Sequence, residues 1–296
     1  MRNFRIYLHF IMLALALMIF PLRAVCQTDT LLIANDTTST KDTSSQIHSL
    51  YAGADFGNNL IYMGSTISRN LPYYSTSLTY GFRNSLYFSA SGSHLSKTVP
   101  FVAFYSLSAS YIHVVNSWFD YSTSLAYYNT PESLHETLFS DFTFINLTTG
   151  FDWRLIYTKL SFSGLFSEDN NGYIQIRNSR YFQTGEFFKG KASLSFDPNI
   201  NLLFGKLVKI ETTTGTSNVG KAPPFVKFRK NPNNITESYS YVFGLMDTEF
   251  SIPVTLDFKN FSFEVETSYI LPAYSNPDYP GPEGFSLNMS VYFRIL

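Results

Sequence analysis

From residue 49 onward, apolar and polar side chains alternate with a period of two along almost the whole chain. In the last segment, 284–296, every second position carries Phe, Leu, Met, Val, Phe or Ile, and the positions between carry Ser, Asn, Ser, Tyr and Arg. This period is typical of β-strands, because successive side chains point to opposite faces. Since almost no helical period occurs, the pattern predicts an all-β protein.

Alternating segments of about ten residues, separated by turn signals, give twelve predicted strands, with ten or fourteen as alternative counts. The predicted strands lie at residues 49–57, 73–82, 85–94, 101–114, 118–128, 139–151, 155–166, 188–196, 200–210, 239–258, 261–272 and 284–296. Segment 173–182 alternates poorly and is assigned to a hairpin inside a loop. In 200–210 the two faces are hard to tell apart.

The predicted connections alternate between short and long. Short links are predicted at 83–84, 115–117, 152–154, 197–199 and 259–260, and long ones at 57–72, 95–100, 129–138, 167–187, 211–238 and 273–283. Strand pairs of a soluble sandwich have no reason to alternate in this way. A transmembrane barrel does, because its periplasmic turns are short and its extracellular loops are long. The pattern therefore predicts a transmembrane antiparallel up-and-down β-barrel.

Composition supports an apolar face that meets lipid. Charged residues make up 15% of the chain against roughly 25% in a usual soluble domain, while aromatic residues reach 18%. The polar face consists mainly of small residues, which suits a crowded lumen, and aromatic residues recur near strand ends as in the interfacial girdles of a barrel. A secreted soluble β-sandwich or barrel is the alternative. The net charge of −1 gives no field that would attract nucleic acid.

The first 26 residues have the order of a secretory signal peptide: a basic start, an apolar stretch and small residues before a cleavage site. We expect residues 1–26 to be removed, residues 27–48 to form a flexible periplasmic lead-in, and residues 49–296 to form the barrel. An uncleaved membrane anchor and a lipid attached to Cys26 are the alternatives. Because Cys26 is the only cysteine, cleavage after it would leave no disulfide or cysteine metal site.

With these features the chain resembles Gram-negative outer-membrane β-barrel proteins. The resemblance covers residues 49–296 and rests on the signal segment, the hydroxyl-rich lead-in, the amphipathic strands and the apolar last strand "FSLNMSVYFRIL". It implies insertion into the outer membrane, with lipid and lipopolysaccharide as surroundings. It also implies that the outer-membrane assembly machinery reads the last strand. The chain ends on Leu296 where that family typically has an aromatic residue.

Motifs for catalysis, nucleotide binding or metal binding are absent from the sequence, so we expect no enzyme activity, no catalytic residue, no cofactor and no metal. His94 and Ser96 lie two positions apart, as in outer-membrane phospholipases. A nucleophilic serine also needs a group that orients its histidine. The next predicted strand offers no Asn on that face, which makes a hydrolase a remote alternative.

Charged residues on the polar face are the main functional candidates. The inward-pointing set is Asp120, Lys159, Lys189, Lys191, Asp247, Glu249, Asp257, Glu264, Glu266 and Arg294. A turn at 259–260 places Glu264 opposite residue 255 and Glu266 opposite residue 253. We expect an acidic wall on the last strands, with the three lysines on strands across the lumen.

These charges predict a channel or solute-transport pore with a charged lumen. The alternative is a structural or interaction barrel with a filled lumen that acts through its extracellular loops. The long loop 211–238 adds four basic candidates for binding phosphate groups or a partner, namely Lys221, Lys227, Arg229 and Lys230.

Overall fold

The computed structural model describes residues 47–296 except 136, 168–169, 213–216, 222–236 and 275–280. Its strands are β1 (His48–Gly57), β2 (Tyr73–Phe82), β3 (Leu86–Leu95), β4 (Phe104–Asn116), β5 (Phe119–Asn129), β6 (Phe142–Asp152), β7 (Tyr157–Phe166), β8 (Asn171–Ser179, continued by Phe182–Gln183), β9 (Ala192–Phe196, continued by Asn199–Thr212), β10 (Glu237–Phe258), β11 (Phe261–Pro272) and β12 (Gly284–Arg294). Two short strands, Ile61–Tyr62 and Ser65–Thr66, pair in the connection after β1, and Ser217–Lys221 pairs with β9.

Each strand from β1 to β12 pairs antiparallel with the next, and β12 pairs with β1 to close the sheet. At the seam Tyr51 lies opposite Arg294 and Gly57 opposite Asn288. The predicted twelve-stranded up-and-down barrel is therefore confirmed. We call the end that holds His48 and Arg294 the terminal end, and the opposite end the loop end.

Two errors in the predicted strands cancel in the count. Segment 173–182 is not a loop hairpin but the wall strand β8, and 188–196 and 200–210 are not two strands but the two parts of β9. Both parts of β9 pair with β10 in one register, and Asp197 donates its N–H to the carbonyl of Pro253 between them. The long connection predicted at 167–187 is therefore wrong, and a terminal-end turn follows Gln183.

Pro198 explains the false turn at 197–199. Proline has no N–H to donate to a ladder, so a proline inside a sequence pattern indicates the end of a strand. Its carbonyl accepts the N–H of Arg180, so β8 and β9 stay paired across the interruption. Segment 173–182 alternates poorly because apolar Tyr173 is buried inside the barrel, while polar Asn178 lies on the outer face between Ile176 and Arg180.

The outer surface is apolar around the whole barrel. Leu78 is 50% exposed, Leu107 61% and Phe243 57%, whereas inward Ser193 and Ser268 are 3% exposed. Outward rings form a belt at the loop end through Phe56, Tyr74, His94 and Phe101, and another at the terminal end through Trp118, Phe119, Phe151 and Trp153. Apolar outside and polar inside is the arrangement of a barrel in lipid.

The described residues include no helix that is long and apolar enough to cross a membrane.

Candidate functional site

The lumen has two halves of opposite character. Toward the loop end the inward side chains form one apolar cluster, whose strand members include Tyr73, Leu95, Phe104, Ala126, Phe142, Phe144, Leu165, Tyr173, Leu203, Leu207 and Met246. Toward the terminal end the inward side chains are mainly serine, threonine, asparagine and charged residues. Nine neighbouring strands, β2 to β10, contribute side chains to this apolar cluster. The cluster therefore excludes water from the loop end of the lumen.

A hairpin from the β1–β2 connection fills this apolar half, and we call residues 58–72 the plug. Its tip is a two-residue turn with positive φ at Met63 (45°) and Gly64 (67°), as a tight hairpin requires. Leu60, Tyr62, Met63 and Ile67 pack on the apolar cluster. The Tyr62 ring lies 5.7 Å from that of Tyr128 and 5.5 Å from that of Phe144 (centroid to centroid). The plug therefore crosses from β1 and β2 to β5 and β6.

One side chain, Asn59, holds the plug in shape. Its Oδ1 accepts hydrogen bonds from the Thr66 hydroxyl (2.7 Å), the Ser68 hydroxyl (3.0 Å) and the Asn70 N–H (3.2 Å). Its Nδ2 donates to Asn70 Oδ1 over 2.7 Å. Because these bonds join both arms of the hairpin, the plug is a preorganised element and not an extended connection.

The β5–β6 connection, 130–141, closes over the plug. Phe139 is 2% exposed and its ring lies 5.4 Å from Phe104 and 5.2 Å from Phe142. The Arg69 guanidinium donates to the Thr137 carbonyl over 2.6 Å, which ties the plug to this connection. The loop end is thus covered by two connected segments.

Asp141 anchors the β5–β6 connection to the end of β5. Its carboxylate accepts the Tyr127 hydroxyl (2.8 Å), the Asn129 amide (2.8 Å) and the Thr130 N–H (2.9 Å). Partial burial acts to raise the pKa of Asp141, but these hydrogen bonds, Thr130 first, outweigh it and hold the pKa below its usual value. His135 Nε2 lies 3.6 Å from the same carboxylate.

Eight of the ten predicted lumen charges lie on inward positions of the wall strands: Asp120, Lys159, Asp247, Glu249, Asp257, Glu264, Glu266 and Arg294. Several of the carboxylates accept a hydrogen bond from a side chain on another strand. Asp120 accepts the Tyr157 hydroxyl (2.7 Å), Asp257 accepts Ser262 (2.8 Å) and Glu264 accepts Thr255 (2.9 Å). The expected register between β10 and β11 is confirmed, with Thr255 opposite Glu264 and Pro253 opposite Glu266.

The sequence predicted Lys189 and Lys191 on strands across the lumen from the acidic strands, but the structure places them elsewhere. Both are exposed in the turn between β8 and β9, where Lys189 has a φ of 61°. The expectation is wrong because β9 pairs directly with β10, so Lys191 lies beside the acidic wall at the terminal end.

Among the described residues, inward charges that the sequence prediction missed include Asp55, Arg177 and Asp197. Arg177 Nη2 lies 3.3 Å from Asp197 Oδ2, and Arg177 is also within electrostatic reach of Glu266. Arg177 and Asp197 were missed because β8 and the junction of β9 were assigned to a loop and a turn. Asp55 lies on the same inward face of β1 as Tyr51, Gly53 and Gly57. The alternation of β1 in the sequence is therefore enough to predict that Asp55 points inward.

Of the four basic loop candidates, Lys221 lies within the described residues. Lys227, Arg229 and Lys230 lie outside the described residues, as do residues 1–46 with the predicted signal peptide and most of the lead-in. Lys221 ends the short strand that pairs with β9, and its backbone lies opposite Leu207.

In the part of the chain that the structure describes, the His94 ring forms no hydrogen bond with the Ser96 hydroxyl. His94 Nδ1 bonds the Phe101 carbonyl over 2.6 Å, and its ring stacks on Phe101 at 4.3 Å. The His94 ring is therefore part of the outer aromatic belt at the loop end. Among the described residues, no three His, Cys, Asp or Glu side chains are placed to hold a metal ion.

The closed sheet, the apolar outer band and the polar terminal half define a membrane-spanning β-barrel. No protein-family model and no curated protein matches the sequence. Solved structures with a similar barrel include the NanC porin (8% identity, 82% of this chain and 98% of that chain, TM-score 0.42). Others are the KdgM porin in complex with disordered oligogalacturonate (10%, 83% and 98%, 0.45) and an outer membrane channel from Pseudomonas putida F1 (9%, 89% and 100%, 0.43). Each is a likeness of barrel architecture.

Proposed function

We propose that the protein is a gated channel of the Gram-negative outer membrane, closed at the loop end by the plug. The observation that carries this proposal is the packing of Tyr62 against Tyr128 and Phe144 inside a barrel whose other half is polar. A lumen that served only as a rigid support could be filled by wall side chains alone. The hairpin pairs with itself and contributes no strand to the wall, so it can leave the lumen without breaking the barrel sheet.

The polar half gives the proposed channel its path. On β2 to β5 the inward positions carry small hydroxyl side chains that are only half buried, including Ser77, Ser91, Ser108 and Ser124. Water can reach these positions, because a half-buried inward hydroxyl inside a closed sheet faces the lumen. Displacing the plug would connect this space to the outside.

A filled barrel that acts through its loops is the second candidate. The apolar cluster continues across the loop end, and with the plug in place it excludes water and ions from that end. This continuity favours the filled barrel. The two candidates differ in what happens when the plug is weakened.

The experiment compares wild-type protein with the Tyr62→Ala, Ile67→Ala double variant in planar bilayers, with Leu78→Ala on the lipid face as matched control. The proposal expects rare openings for wild type and control, and frequent openings of a uniform size for the double variant. A variant that keeps its folded, heat-modifiable gel migration but seals the membrane would overturn the channel and leave the filled barrel.

A further inference from the structure

A pocket of about 230 Å³ opens at the terminal end of the barrel, far from the plug. It lies between the β8–β9 turn, the β10–β11 turn at Lys259 and the end of β12. Backbone hydrogen bonds join these three segments: Lys259 N–H donates to Lys191 O (3.3 Å), and Arg294 N–H donates to Asn260 O (2.7 Å). The positions that carry the side chains around the pocket are therefore fixed relative to one another.

Three cationic side chains line this pocket: Lys191, Lys259 and Arg294. The acids that line it are Glu186, in the same turn as Lys191, and Asp257, whose carboxylate accepts the Ser262 hydroxyl over 2.8 Å. Within the described part of the chain, neither Lys191 nor Lys259 forms an ion pair with an acidic residue. The Lys259 Nζ atom lies 6.0 Å from the centroid of the Phe258 ring. Arg294 Nε already donates to the Leu296 carbonyl over 3.1 Å, so Lys191 and Lys259 are the cations that a bound anion would neutralise.

The floor of the pocket adds hydroxyl groups. Ser193 and Ser262 are 3% and 4% exposed, and the phenols of Tyr51 and Tyr292 complete the lining. The Ser262 hydroxyl donates to Asp257 and the Tyr292 hydroxyl to Asp55, so Ser193 and Tyr51 are the hydroxyl groups left to donate to a bound anion. Lysines at the rim with hydroxyl donors behind them are groups that bind carboxylate or phosphate oxygens. A pocket of about 230 Å³ has room for a small anion such as phosphate.

We propose that this pocket binds small solutes that carry a carboxylate or phosphate group. If the channel proposed above also holds, on which this consequence rests, the pocket selects the class of solute that reaches the lumen from the terminal end. Binding itself does not depend on gating, because the pocket is open in the closed barrel.

The test uses the full folded chain in detergent, with inorganic phosphate as probe and isothermal titration calorimetry at low ionic strength. Saturable binding is expected for wild type, at least tenfold weaker in the Lys191→Gln, Lys259→Gln double variant and unchanged in Lys97→Gln, which removes an exposed lysine at the loop end. Acetate in place of phosphate is expected to compete, and sodium chloride to weaken binding by screening.

Absence of saturable binding in the wild type, or equal affinity in the double variant, would overturn the site. Either result leaves the conductance experiment untouched, and a sealed plug variant leaves the binding result untouched. Failure of one proposal is therefore distinguishable from failure of the other.

Discussion

Asp55 and Ser290 lie directly opposite each other where the first and last strands close the barrel, and the Ser290 hydroxyl donates to Asp55 Oδ1 over 2.7 Å. Asp55 also accepts Tyr292 (3.2 Å) and, from its other side, Ser75 on β2 (2.9 Å). One carboxylate therefore joins three strands across the seam. Gly53, two residues earlier, makes room for Tyr292, because a Cβ there would meet its ring.

Removing the Asp55 carboxylate should weaken the pairing of β1 and β12 that closes the barrel. Asp55→Ala leaves three hydroxyl donors without their charged acceptor and should cost about 2–3 kcal/mol of unfolding free energy. Urea titration of the gel-shift between folded and unfolded barrel measures the loss. Thr76→Ala, on the lipid face of β2 at the same height, is the control. Equal stability of Asp55→Ala and the control would show that the seam hydrogen bonds contribute nothing.

The Asn59 side chain should set the stability of the plug without affecting the wall. Asn59→Ala removes the acceptor of three hydrogen bonds and the donor of a fourth, at an expected cost on the order of 1–3 kcal/mol to the closed plug. More frequent openings in planar bilayers, with unchanged urea stability of the barrel, are expected. Asn58→Ala removes a neighbouring amide that bonds β12 instead. If this variant opened as often, Asn59 would have no special role.

The register of β10 and β11 could be predicted from sequence, whereas the plug could not. The tight turn at 259–260 and a strict period of two fix which residues of those strands lie opposite each other. Residues 58–72 contain apolar side chains and a Met63–Gly64 turn, which are consistent with a hairpin. Nothing in a short hairpin indicates whether it extends into solvent or packs into the lumen, since that depends on the inward rings of β5 and β6.

The β8–β9 region was mispredicted for a different reason. Local turn signals at Pro198 and a polar outward Asn178 outweighed the alternation, although tertiary pairing overrides both in the structure. Thr158 donates its hydroxyl to Asn178 Oδ1 over 2.8 Å, so an outward amide is tolerated near the terminal-end belt. A single-strand pattern carries no information about such a cross-strand partner.

Acid should release the β5–β6 connection. The pKa of Asp141 is lowered in the folded state, so its stabilisation is present above the unfolded pKa and is lost as pH falls through the folded value. We therefore expect the wild type to open rarely at neutral pH and more often only below about pH 4. Asp141→Asn should open more often at pH 7 and lose this acid response, as measured in planar bilayers with symmetric buffers. An acid response that persists in Asp141→Asn would assign it to another group.

Gly150 should be intolerant of any side chain. A Cβ on it would overlap the Tyr157 hydroxyl and the Asp120 carboxylate, which bond each other at the terminal-end wall. Gly150→Ala should therefore destabilise the barrel by about 1–3 kcal/mol through overpacking. Gly172→Ala is the matched control, because its Cβ would meet only the Ser163 carbonyl at 3.9 Å. Urea midpoints compare the two variants, and similar midpoints would show that the Asp120–Tyr157 pair moves aside without cost.

The acidic wall should set ion preference once the plug is weakened. Glu264 and Glu266 point inward from β11, beside Glu249 on β10, and Arg177 is the basic group within electrostatic reach of Glu266. Removing two carboxylates leaves Arg177 less compensated, so the field in the lumen becomes more positive. In the Tyr62→Ala, Ile67→Ala background, Glu264→Gln with Glu266→Gln should lower the cation-to-anion permeability ratio several-fold, measured as a reversal-potential shift in a salt gradient. Glu283→Gln removes the same kind of charge before β12, outside the wall, and should leave the ratio unchanged. A ratio that stays the same in the double Gln variant would mean that ions pass along the serine-lined side of the lumen, out of reach of this wall.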